Sequence, residues 1–427
     1  MKFCLLHTEQ VKKRKPSFQR AHKLEVLRQI CNWIPNFLVG RLARETGVAD
    51  RARTFSPWSH VVAMVYAQLT HAISLNDVCD ALRLFSGPLS AIRGAVPPSS
   101  NAFSHANRVR DAKMAERLLW SVLEHLQSLH PRFATGKRRL PRFKRCLQAV
   151  DGTVITLVAN CMSWAKHRRR KAATKLHVRL DLQSFLPRFA IVDLAPHHDS
   201  TRAAEMCAGL KEGEIAIFDK AYVVYSHLYA LDQRGVYWVT RAKENQVYKV
   251  CQRRTLERGS RVVRDELIEL QGVKTAAHYP QPLRRVTVRV EIDAQEVEVT
   301  FLTNNLEWSG QSIADLYRCR WDIEKFFKQI KQSLQLCDFL GNNANAVHWQ
   351  IWIALLVYVL LRFLAFLSRW SHSFTRLWAL TRSALWRKID FCHWLKSCGT
   401  ADGHFQLLSR PEQAYFTAWT GAACGTA

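Results

Sequence analysis

Two aspartates occupy positions where a charged side chain needs a partner. Asp151 lies in the apolar run Ala149–Thr153, a strand-like stretch in which an unpaired charge is costly to bury. Asp219 ends the apolar strand-like run Ile215–Phe218, and open α/β sheets place their ligands at strand ends. Taken singly, either residue is equally typical of a helix cap or a turn. Taken together, their oxygens suit a hard divalent cation.

Glu324 belongs to a polar stripe on a predicted long helix. Tyr317, Arg320, Glu324 and Lys331 stand at offsets of three, seven and fourteen, which places them within roughly 60° of one another around a helix. An ion pair between Arg320 and Glu324 would explain two of these residues but not all four. A second stripe on the same helix is apolar and predicts packing against a sheet. It comprises Leu316, Ile323, Phe327, Ile330 and Leu334.

Carboxylates on rigid supports are what phosphodiester chemistry requires. An in-line attack at phosphorus builds negative charge on the phosphoryl oxygens, and two divalent ions about 3.5–4 Å apart stabilise both the attacking and the leaving oxygen. The three acidic residues therefore predict a metal-assisted phosphoryl-transfer site, provided that the fold brings them together.

The composition favours a polyanionic partner. The 427 residues include 62 Lys and Arg against 35 Asp and Glu, a formal net charge of +27. Nucleic acid is the leading partner class and a membrane surface the second. Two runs, Arg132–Arg145 and Lys166–Arg179, each contain seven basic residues and no acidic one. They are candidate phosphate-binding segments, although a solvated basic loop is the alternative.

The twelve cysteines do not suggest a zinc site or a disulfide framework. None form a C-x-x-C pair, and Cys392 with His393 lacks the second half of any zinc pattern. The cluster His197-His198-Asp199 likewise has no matching partner. Met1–Thr8 has no apolar core of signal-peptide length, so we expect a cytoplasmic protein with reduced thiols.

One apolar segment resembles a membrane span in length. Trp349–Leu367 contains Gln350 and Arg362, and its uninterrupted apolar run, Ile351–Leu361, has only 11 residues. A span must cross about 30 Å of hydrocarbon. The segment therefore predicts a buried core helix and no membrane partner.

The region from about 20 to 130 is predicted to be all-helical. Ser56-Pro57 predicts one helix start, Ser74 with Asp77 a capping box, and Ser99 or Ser100 a third start. The helix Asn101–Arg110 is a candidate recognition element of a helix-turn-helix, with the Ser74 helix before it. Such helix pairs are equally common in proteins that never touch DNA, so this alternative stays open.

After Pro141 the pattern becomes α/β. Predicted helices cover Ser200–Leu210 and Tyr222–Gln233. Residues 242–303 form a β-rich stretch, a helix capped by Ser312 with Asp315 runs to about Leu334, and an apolar helix follows from about 346. The predicted strands are Cys146–Val158, Leu176–Leu182, Phe189–Leu194, Glu214–Phe218, Val236–Thr240, Val286–Ile292 and Glu296–Leu302.

These motifs resemble one known family. Tyr317, Arg320, Glu324 and Lys331 match the Y-x2-R-x3-E-x6-K signature of bacterial DDE transposases of the insertion-sequence-four family. Further blocks are similar to the two aspartate blocks, the basic strand and the helical N-terminal domain of that family, so the resemblance covers most of residues 50–365. They are Asp151-Gly152-Thr153, Asp219–Tyr222, Trp238–Lys243 and Phe55–Leu82.

The resemblance implies an α/β fold class: a ribonuclease-H-like catalytic core interrupted by a β-rich insertion, preceded by an all-helical N-terminal domain and followed by helices. The implied boundaries are 1–135 for a helical DNA-binding domain, 136–241 and 306–368 for the two parts of the core, 242–305 for the insertion, and 369–427 for a C-terminal tail with a dimerisation role.

The resemblance also implies roles for individual residues. Asp151, Asp219 and Glu324 would be catalytic and would bind Mg²⁺ or Mn²⁺, with two ions expected. Contacts to DNA phosphates are assigned to Tyr317, Arg320, Lys331, Lys220, Tyr222, Arg241 and Lys243. The partners would be double-stranded DNA, as transposon ends and target, and a second copy of the chain in a homodimer at the nucleoid.

The implied reaction is cleavage at terminal inverted repeats and joining of the 3′-hydroxyl to target DNA. Two alternatives remain at this point, a DNA-binding relative without catalysis and a nuclease that cuts without joining. Relatives that form a DNA hairpin hold a flipped base on an aromatic residue of the insertion. Trp308 and Trp238 are candidates for that role by position only, and core packing is the alternative for both.

Overall fold

The computed structural model describes residues 24–48, 54–136, 143–157, 161–168, 171–256, 259–292, 295–334, 336 and 339–397. Its first part is helical, as predicted. The helices are α1 (Val26–Cys31), α2 (Asn36–Glu45), α3 (Pro57–Thr70), α4 (Leu75–Leu84), α5 (Ser86–Ser90), α6 (Ser100–Val109), α7 (Lys113–Leu129) and α8 (Pro131–Thr135).

The predicted helix starts in this part are confirmed by hydrogen bonds. The Ser56 side chain accepts from the backbone N–H of Ser59 at the start of α3. Ser74 and Asp77 form the reciprocal capping box of α4. Ser99 caps α6 in the same way as Ser56 caps α3. In each case the side chain satisfies an N–H that the first helical turn leaves without a partner.

Helix α6 presents fewer polar residues than its sequence suggests. Asn107 is buried and its Oδ1 lies 2.8 Å from Nε2 of His60. Arg110 is buried as well and donates to the carbonyl of Ser56. Both side chains therefore hold the helices together, because buried polar groups need internal partners. The polar residues of α6 left exposed are Asn101, Ser104, His105 and Arg108.

A ten-stranded mixed sheet forms the second part. Its order is β2-β3-β1-β5-β6-β10-β9-β8-β7, with β4 also paired to β3. The strands are β1 (Leu147–Leu157), β2 (Lys166–Arg168), β3 (Lys171–Asp181), β4 (Leu186–Leu194), β5 (Ile215–Phe218), β6 (Tyr237–Arg241), β7 (Tyr248–Arg253), β8 (Val262–Leu270), β9 (Leu283–Ile292) and β10 (Gln295–Thr303).

Strand direction changes along this sheet. Strands β1, β5 and β6 are parallel neighbours, whereas β3 is antiparallel to β1 and β4 is antiparallel to β3. In the parallel pair, Val150 on β1 lies opposite Phe218 on β5. The next residues in the chain are Asp151 and Asp219, so the register places Asp151, within β1, beside Asp219 at the predicted carboxyl end of β5.

Short helices connect these strands. The predicted helix Ser200–Leu210 is a 3-10 turn, Asp199–Arg202, followed by α10 (Ala203–Cys207), and the predicted helix Tyr222–Gln233 begins later, as α11 (Tyr225–Gln233). A four-residue helix, α9 (Met162–Ala165), precedes β2, and α12 (Val273–His278) lies between β8 and β9.

The β-rich stretch extends the same sheet. The predicted strands Val286–Ile292 and Glu296–Leu302 are confirmed as β9 and β10, which pair as an antiparallel hairpin. Strand β10 is also antiparallel to β6, with Phe301 opposite Arg241. The stretch therefore continues the central sheet through backbone hydrogen bonds, and β10 ends towards the start of β6, with Thr303 opposite Val239.

The predicted long helix is broken. It begins as α13 (Gly310–Arg318), continues as α14 (Trp321–Lys328) and ends in a π-helical turn, Gln329–Ser333. The break occurs because the N–H groups of Asp322 and Ile323 bond three residues back rather than four. The predicted cap at Ser312 is wrong, since the Ser309 side chain accepts from the N–H of Ser312.

Helix α15 (Ala344–Leu367) is the centre of the hydrophobic core. Among the described residues it is the one helix long and apolar enough to cross a membrane, and 78% of its most apolar window is buried inside the protein. Its burial confirms the predicted core helix. Helices α3, α6 and α7 pack against it, and Trp349 donates to the carbonyl of Arg110.

The C-terminal helices close the same core. They are α16 (Phe374–Ala384) and α17 (Phe391–Ser397). The N–H of Val26 donates to the carbonyl of Arg387, and Trp378 donates to the carbonyl of Leu69. The helices before the sheet and those after it therefore share one continuous interior with the inner face of β1 and β3.

Candidate active site

The site is built where β1 and β5 approach the broken helix. Asp151 is in the middle of β1 and its Oδ1 accepts a hydrogen bond of 2.8 Å from the N–H of Gly152. Asp219 directly follows β5 and precedes a 3-10 turn, Lys220–Tyr222. The parallel register fixes the spacing of the two aspartates, because neither can shift without breaking the strand pairing.

Arg320 connects the sheet to the helix. Its Nη1 lies 2.8 Å from Oδ2 of Asp151, and its Nη2 lies 2.8 Å from Oε1 of Glu324. The side chains of Arg320 and Asp151 are 12% and 17% exposed, whereas that of Glu324 is 39% exposed. Glu324 thus faces the opening of the site, and one guanidinium joins two of the three predicted carboxylates.

The other signature residues also reach the sheet. The Tyr317 hydroxyl lies 3.5 Å from Oδ1 of Asp219, and Lys331 Nζ donates to the carbonyl of Val154 on β1 at 2.6 Å. The predicted polar stripe therefore faces the sheet even though the helix is broken within it. The predicted apolar stripe is buried from Leu316 to Leu334.

The electrostatics of Asp151 are unusual for an aspartate. Burial raises its pKa to about 6. Arg320 and the N–H of Gly152 oppose this rise, while the charges of Asp219 and Glu324 add to it. Burial also raises the pKa of Tyr317 to about 12. Three carboxylates that influence one another in a partly dry site form an arrangement typical of a functional centre.

The remaining predicted phosphate ligands lie around this edge. Lys220 is 48% exposed and its Nζ is 3.7 Å from Glu244. Arg241 ends β6 with an exposed side chain. Lys243 donates to the carbonyl of Val223 at 3.1 Å. Lys220 and Arg241 are therefore available to a ligand, and Lys243 also secures the turn after Asp219.

Tyr222 does not fit its predicted role as a DNA contact. Its side chain is 2% exposed, and a hydrogen bond of 2.7 Å joins its hydroxyl to Nδ1 of His177. It is a packing residue below the site, since a buried and bonded hydroxyl offers nothing to a phosphate. Sequence reasoning missed His177, which lies directly opposite Gly152 in the pairing of β1 with β3. Only the strand register reveals it.

Part of the second basic run is used internally. Lys175 Nζ lies 3.0 Å from Asp199, and Arg179 is buried against the carbonyl of Met206. Residues 137–142 of the first run and 169–170 of the second lie outside the described residues. The charge that these described residues bring to DNA is thus smaller than the sequence count suggests.

The histidine cluster is a salt-bridged loop. His197 Nδ1 and Arg202 Nε contact the two oxygens of Asp193 at 2.7 and 2.6 Å. Hydrogen bonds from Arg202 and His197 lower the pKa of Asp193 despite its burial. Across the described part of the chain, no group of three His, Cys, Asp or Glu side chains is arranged to enclose a metal ion. All eight cysteines in that part are free.

The two candidate tryptophans differ in exposure. Trp238 is fully buried and packs near Tyr279. Trp308 is half-buried, with its ring 5.4 Å from that of Phe143 and 5.0 Å from that of Tyr237. Trp238 is therefore a core residue, which was the alternative considered for it.

Comparisons with known proteins show the family of the chain. A family model described as a transposase DDE domain matches residues 142–360, and one for a domain of unknown function, DUF4372, matches residues 22–91. A putative transposase of Sinorhizobium fredii is 34% identical over 57% of this chain and 68% of that protein.

Two further relatives belong to named elements. A probable transposase for insertion sequence element IS5377 of Geobacillus stearothermophilus is 28% identical over 59% of this chain and 66% of that protein. The transposase InsG for element IS4 of Escherichia coli is 24% identical over 44% of this chain and 43% of that protein. The chain belongs to the DDE transposases of insertion sequences, enzymes that cleave DNA and transfer its strands.

Proposed function

We propose that this chain binds the terminal inverted repeats of its insertion sequence, cleaves the DNA at those ends and joins the 3′-hydroxyl to target DNA by two-metal-ion phosphoryl transfer. The observation that carries the proposal is the gathering of Asp151, Asp219 and Glu324 at one sheet edge through Arg320 and Tyr317. The order β4-β3-β1-β5-β6, with its parallel last three strands, supports a ribonuclease-H-like core.

The residues present fit a divalent metal by their chemistry. Asp151, Asp219 and Glu324 offer only carboxylate oxygens, the ligands that Mg²⁺ and Mn²⁺ prefer. In the arrangement described, the Arg320 guanidinium lies between Asp151 and Glu324. Metal binding therefore requires Arg320 to leave at least one of these carboxylates. When bound there, two such ions would activate the attacking oxygen and stabilise the leaving oxygen.

The chain's own residues orient the DNA. Lys331, Lys220 and Arg241 surround the carboxylate edge, and their charges suit the phosphates on either side of the scissile bond. A guanidinium released from Asp151 presents two N–H groups to a phosphate. Arg320 thus has a second ligand available once a cation neutralises the carboxylates.

The proposal extends to the assembly and its location. Two copies of the chain would pair two transposon ends in a homodimer, and the reaction would take place in the cytoplasm at the nucleoid. The +27 formal charge supports association with DNA over long distances, since such attraction accelerates encounter.

Cleavage of end DNA tests the site assignment. The full chain is incubated with Mg²⁺ and a duplex that carries the terminal repeat of its own element, and Asp219→Asn and Glu324→Gln should each lose cleavage by about 10³-fold or more while still binding the duplex. Asp322→Asn is the matched control, because Asp322 lies on the same helix and pairs with Lys325 instead. Full cleavage by either of the first two variants would refute the assignment.

A further inference from the structure

A buried pair of side chains lies directly beneath Asp151. Gly152 follows Asp151 on β1, and its backbone partner on β3 is His177. A methyl group at position 152 would lie 2.9 Å from His177 Nδ1 and 2.9 Å from the Tyr222 hydroxyl. Such contacts are too short for any real side chain, so β1 rests on the His177–Tyr222 pair itself.

Solvent hardly reaches the two side chains of this pair. His177 is fully buried and Tyr222 is 2% exposed. Burial lowers the pKa of His177 to about 4, so the ring is neutral at neutral pH. Among the described residues the Nε2 atom of His177 has no hydrogen-bond partner, and the Tyr222 hydroxyl is the closest polar partner of the ring. Asp199 lies further away, at 3.8 Å, and is held by Lys175.

The same tyrosine is tied to the second aspartate. Tyr222 ends the turn that begins after Asp219, and its N–H donates to the Asp219 carbonyl at 3.0 Å. The Tyr222 side chain then reaches back under Gly152. One residue therefore contacts the backbone that carries Asp219 and also the strand that carries Asp151.

We propose that Tyr222 and His177 are positioning residues that set the separation of Asp151 and Asp219 for divalent metal binding. The inference rests on the proposed function of those carboxylates. A metal site tolerates errors of only about 0.5 Å in its ligands. Loss of a supporting hydrogen bond behind a metal ligand commonly weakens metal affinity by about 10–100-fold.

The protein offers a matched pair of variants. Tyr222→Phe removes a buried hydroxyl that is bonded to His177. Tyr279→Phe removes another, because Tyr279 is 1% exposed and donates to Asp232 at 2.8 Å. Both side chains belong to the same apolar cluster, so the two variants should lose similar stability. Only Tyr222 touches the strand of Asp151.

The test measures Mn²⁺ binding to the full chain by electron paramagnetic resonance of free Mn²⁺. We expect Tyr222→Phe to bind Mn²⁺ about tenfold more weakly and to cleave bound ends about tenfold more slowly, with unchanged affinity for the end duplex. Tyr279→Phe should match the unaltered chain in all three measurements. Equal Mn²⁺ affinities for Tyr222→Phe and Tyr279→Phe would overturn the inference.

Two more variants guard against a general loss of structure. His177→Asn keeps a polar group near the position of Nδ1, so it should retain more Mn²⁺ affinity than His177→Leu at equal melting temperature. Equal affinities of these two variants would again count against the inference.

The variant Asp151→Asn distinguishes failure of the proposed function from failure of the positioning role. If Asp151→Asn leaves Mn²⁺ binding intact, the proposed function fails. If only Asp151→Asn weakens binding, the proposed function stands and the positioning role is lost.

Discussion

Two arginines of this protein, one buried and one partly buried, bind carboxylates in different ways. Arg284 is 1% exposed and places two nitrogens on the two oxygens of Asp265, at 2.8 and 2.7 Å, while its third nitrogen donates to the carbonyl of Trp308. Arg320 divides its two terminal nitrogens between Asp151 and Glu324, and its buried Nε has no partner in the part of the chain that the structure describes. We call the Arg284 arrangement saturated because all three of its guanidinium nitrogens donate to an acceptor. The Arg320 arrangement is not saturated.

The difference separates a structural ion pair from an exchangeable one. Arg284 joins β9 and β8 to the segment before α13, and every nitrogen is used, so nothing favours its release. Arg320 lies among three carboxylates that a cation would also neutralise. A guanidinium with an unused nitrogen beside an opening can exchange its partners at low cost, which suits the metal and phosphate binding proposed for this site.

The largest predicted effect concerns the saturated pair. Asp265→Asn leaves the Arg284 charge buried without its counter-ion, so it should lower the free energy of unfolding by about 3–5 kcal/mol in urea titrations followed by circular dichroism. Asp151→Asn should cost far less in the metal-free protein, because burial already disfavours the Asp151 charge. Equal losses in the two variants would abolish the distinction between the two arginines.

The second prediction concerns Arg320. Arg320→Gln removes the cation that competes for Asp151 and Glu324, so Mn²⁺ should bind about tenfold more tightly in titration calorimetry, a change of about 1.4 kcal/mol. Affinity for the end duplex should fall at the same time. Arg318→Gln is the control, since Arg318 is 65% exposed and pairs with Asp315 on its own helix. A weaker Mn²⁺ affinity in Arg320→Gln would mean that Arg320 supports the metal site instead.

The third prediction uses the raised pKa of Asp151. A proton and a metal ion compete for this carboxylate, so lowering the pH from 7.5 to 5.5 across a pKa of about 6 should weaken Mn²⁺ binding about fourfold. The folded-state pKa lies above the ordinary aspartate value. Asp151 therefore stabilises the metal-free fold most at low pH, and this contribution is lost as the pH rises through 6.

Asp151→Asn provides the control for that pH profile. The variant has no proton to lose at position 151, so any residual Mn²⁺ affinity should be flat between pH 5.5 and 7.5. A fourfold change that persists in the variant would assign the titration to another group.

The smallest predicted effect on stability concerns an exposed ion pair. Arg264 on β8 and Glu298 on β10 form an ion pair of 2.7 Å, with side chains 51% and 42% exposed. Glu298→Gln should change the free energy of unfolding by about 0.5 kcal/mol or less, because water screens the pair. A loss comparable with that of Asp265→Asn would show that burial does not determine how much the ion pairs of Arg264 and Arg284 stabilise the fold.

Local patterns predicted much of the fold. The capping box at Ser74 and Asp77 and the hairpin of β9 and β10 depend on neighbouring residues, so the sequence alone indicates them. The polar stripe also predicted that Arg320 and Glu324 share one side of the helix, where Arg320 pairs with both Glu324 and Asp151. The break at Cys319 and Arg320 was not predictable from periodicity. A helix whose N–H groups donate to carbonyls three residues back over one turn keeps nearly the same spacing of its apolar residues.

Contacts between distant segments account for what sequence reasoning missed. The register of β1 with β3 places His177, the hydrogen-bond partner of Tyr222, opposite Gly152, and no local pattern encodes that register. The inward direction of Asn107 depends on His60, and that of Arg110 on the carbonyl of Ser56. A polar residue on a short helix is predicted to be exposed as long as its partner elsewhere in the chain is unknown.

The central position of α15 has a consequence for synthesis of the protein. Helices α1–α8 end at Thr135, and the helix that covers their apolar faces begins at Ala344. At about 5–20 residues per second, the ribosome needs roughly 10–40 s to make the intervening 209 residues, from position 136 to position 344. During that interval the nascent N-terminal helices expose the apolar surfaces that α15 later buries.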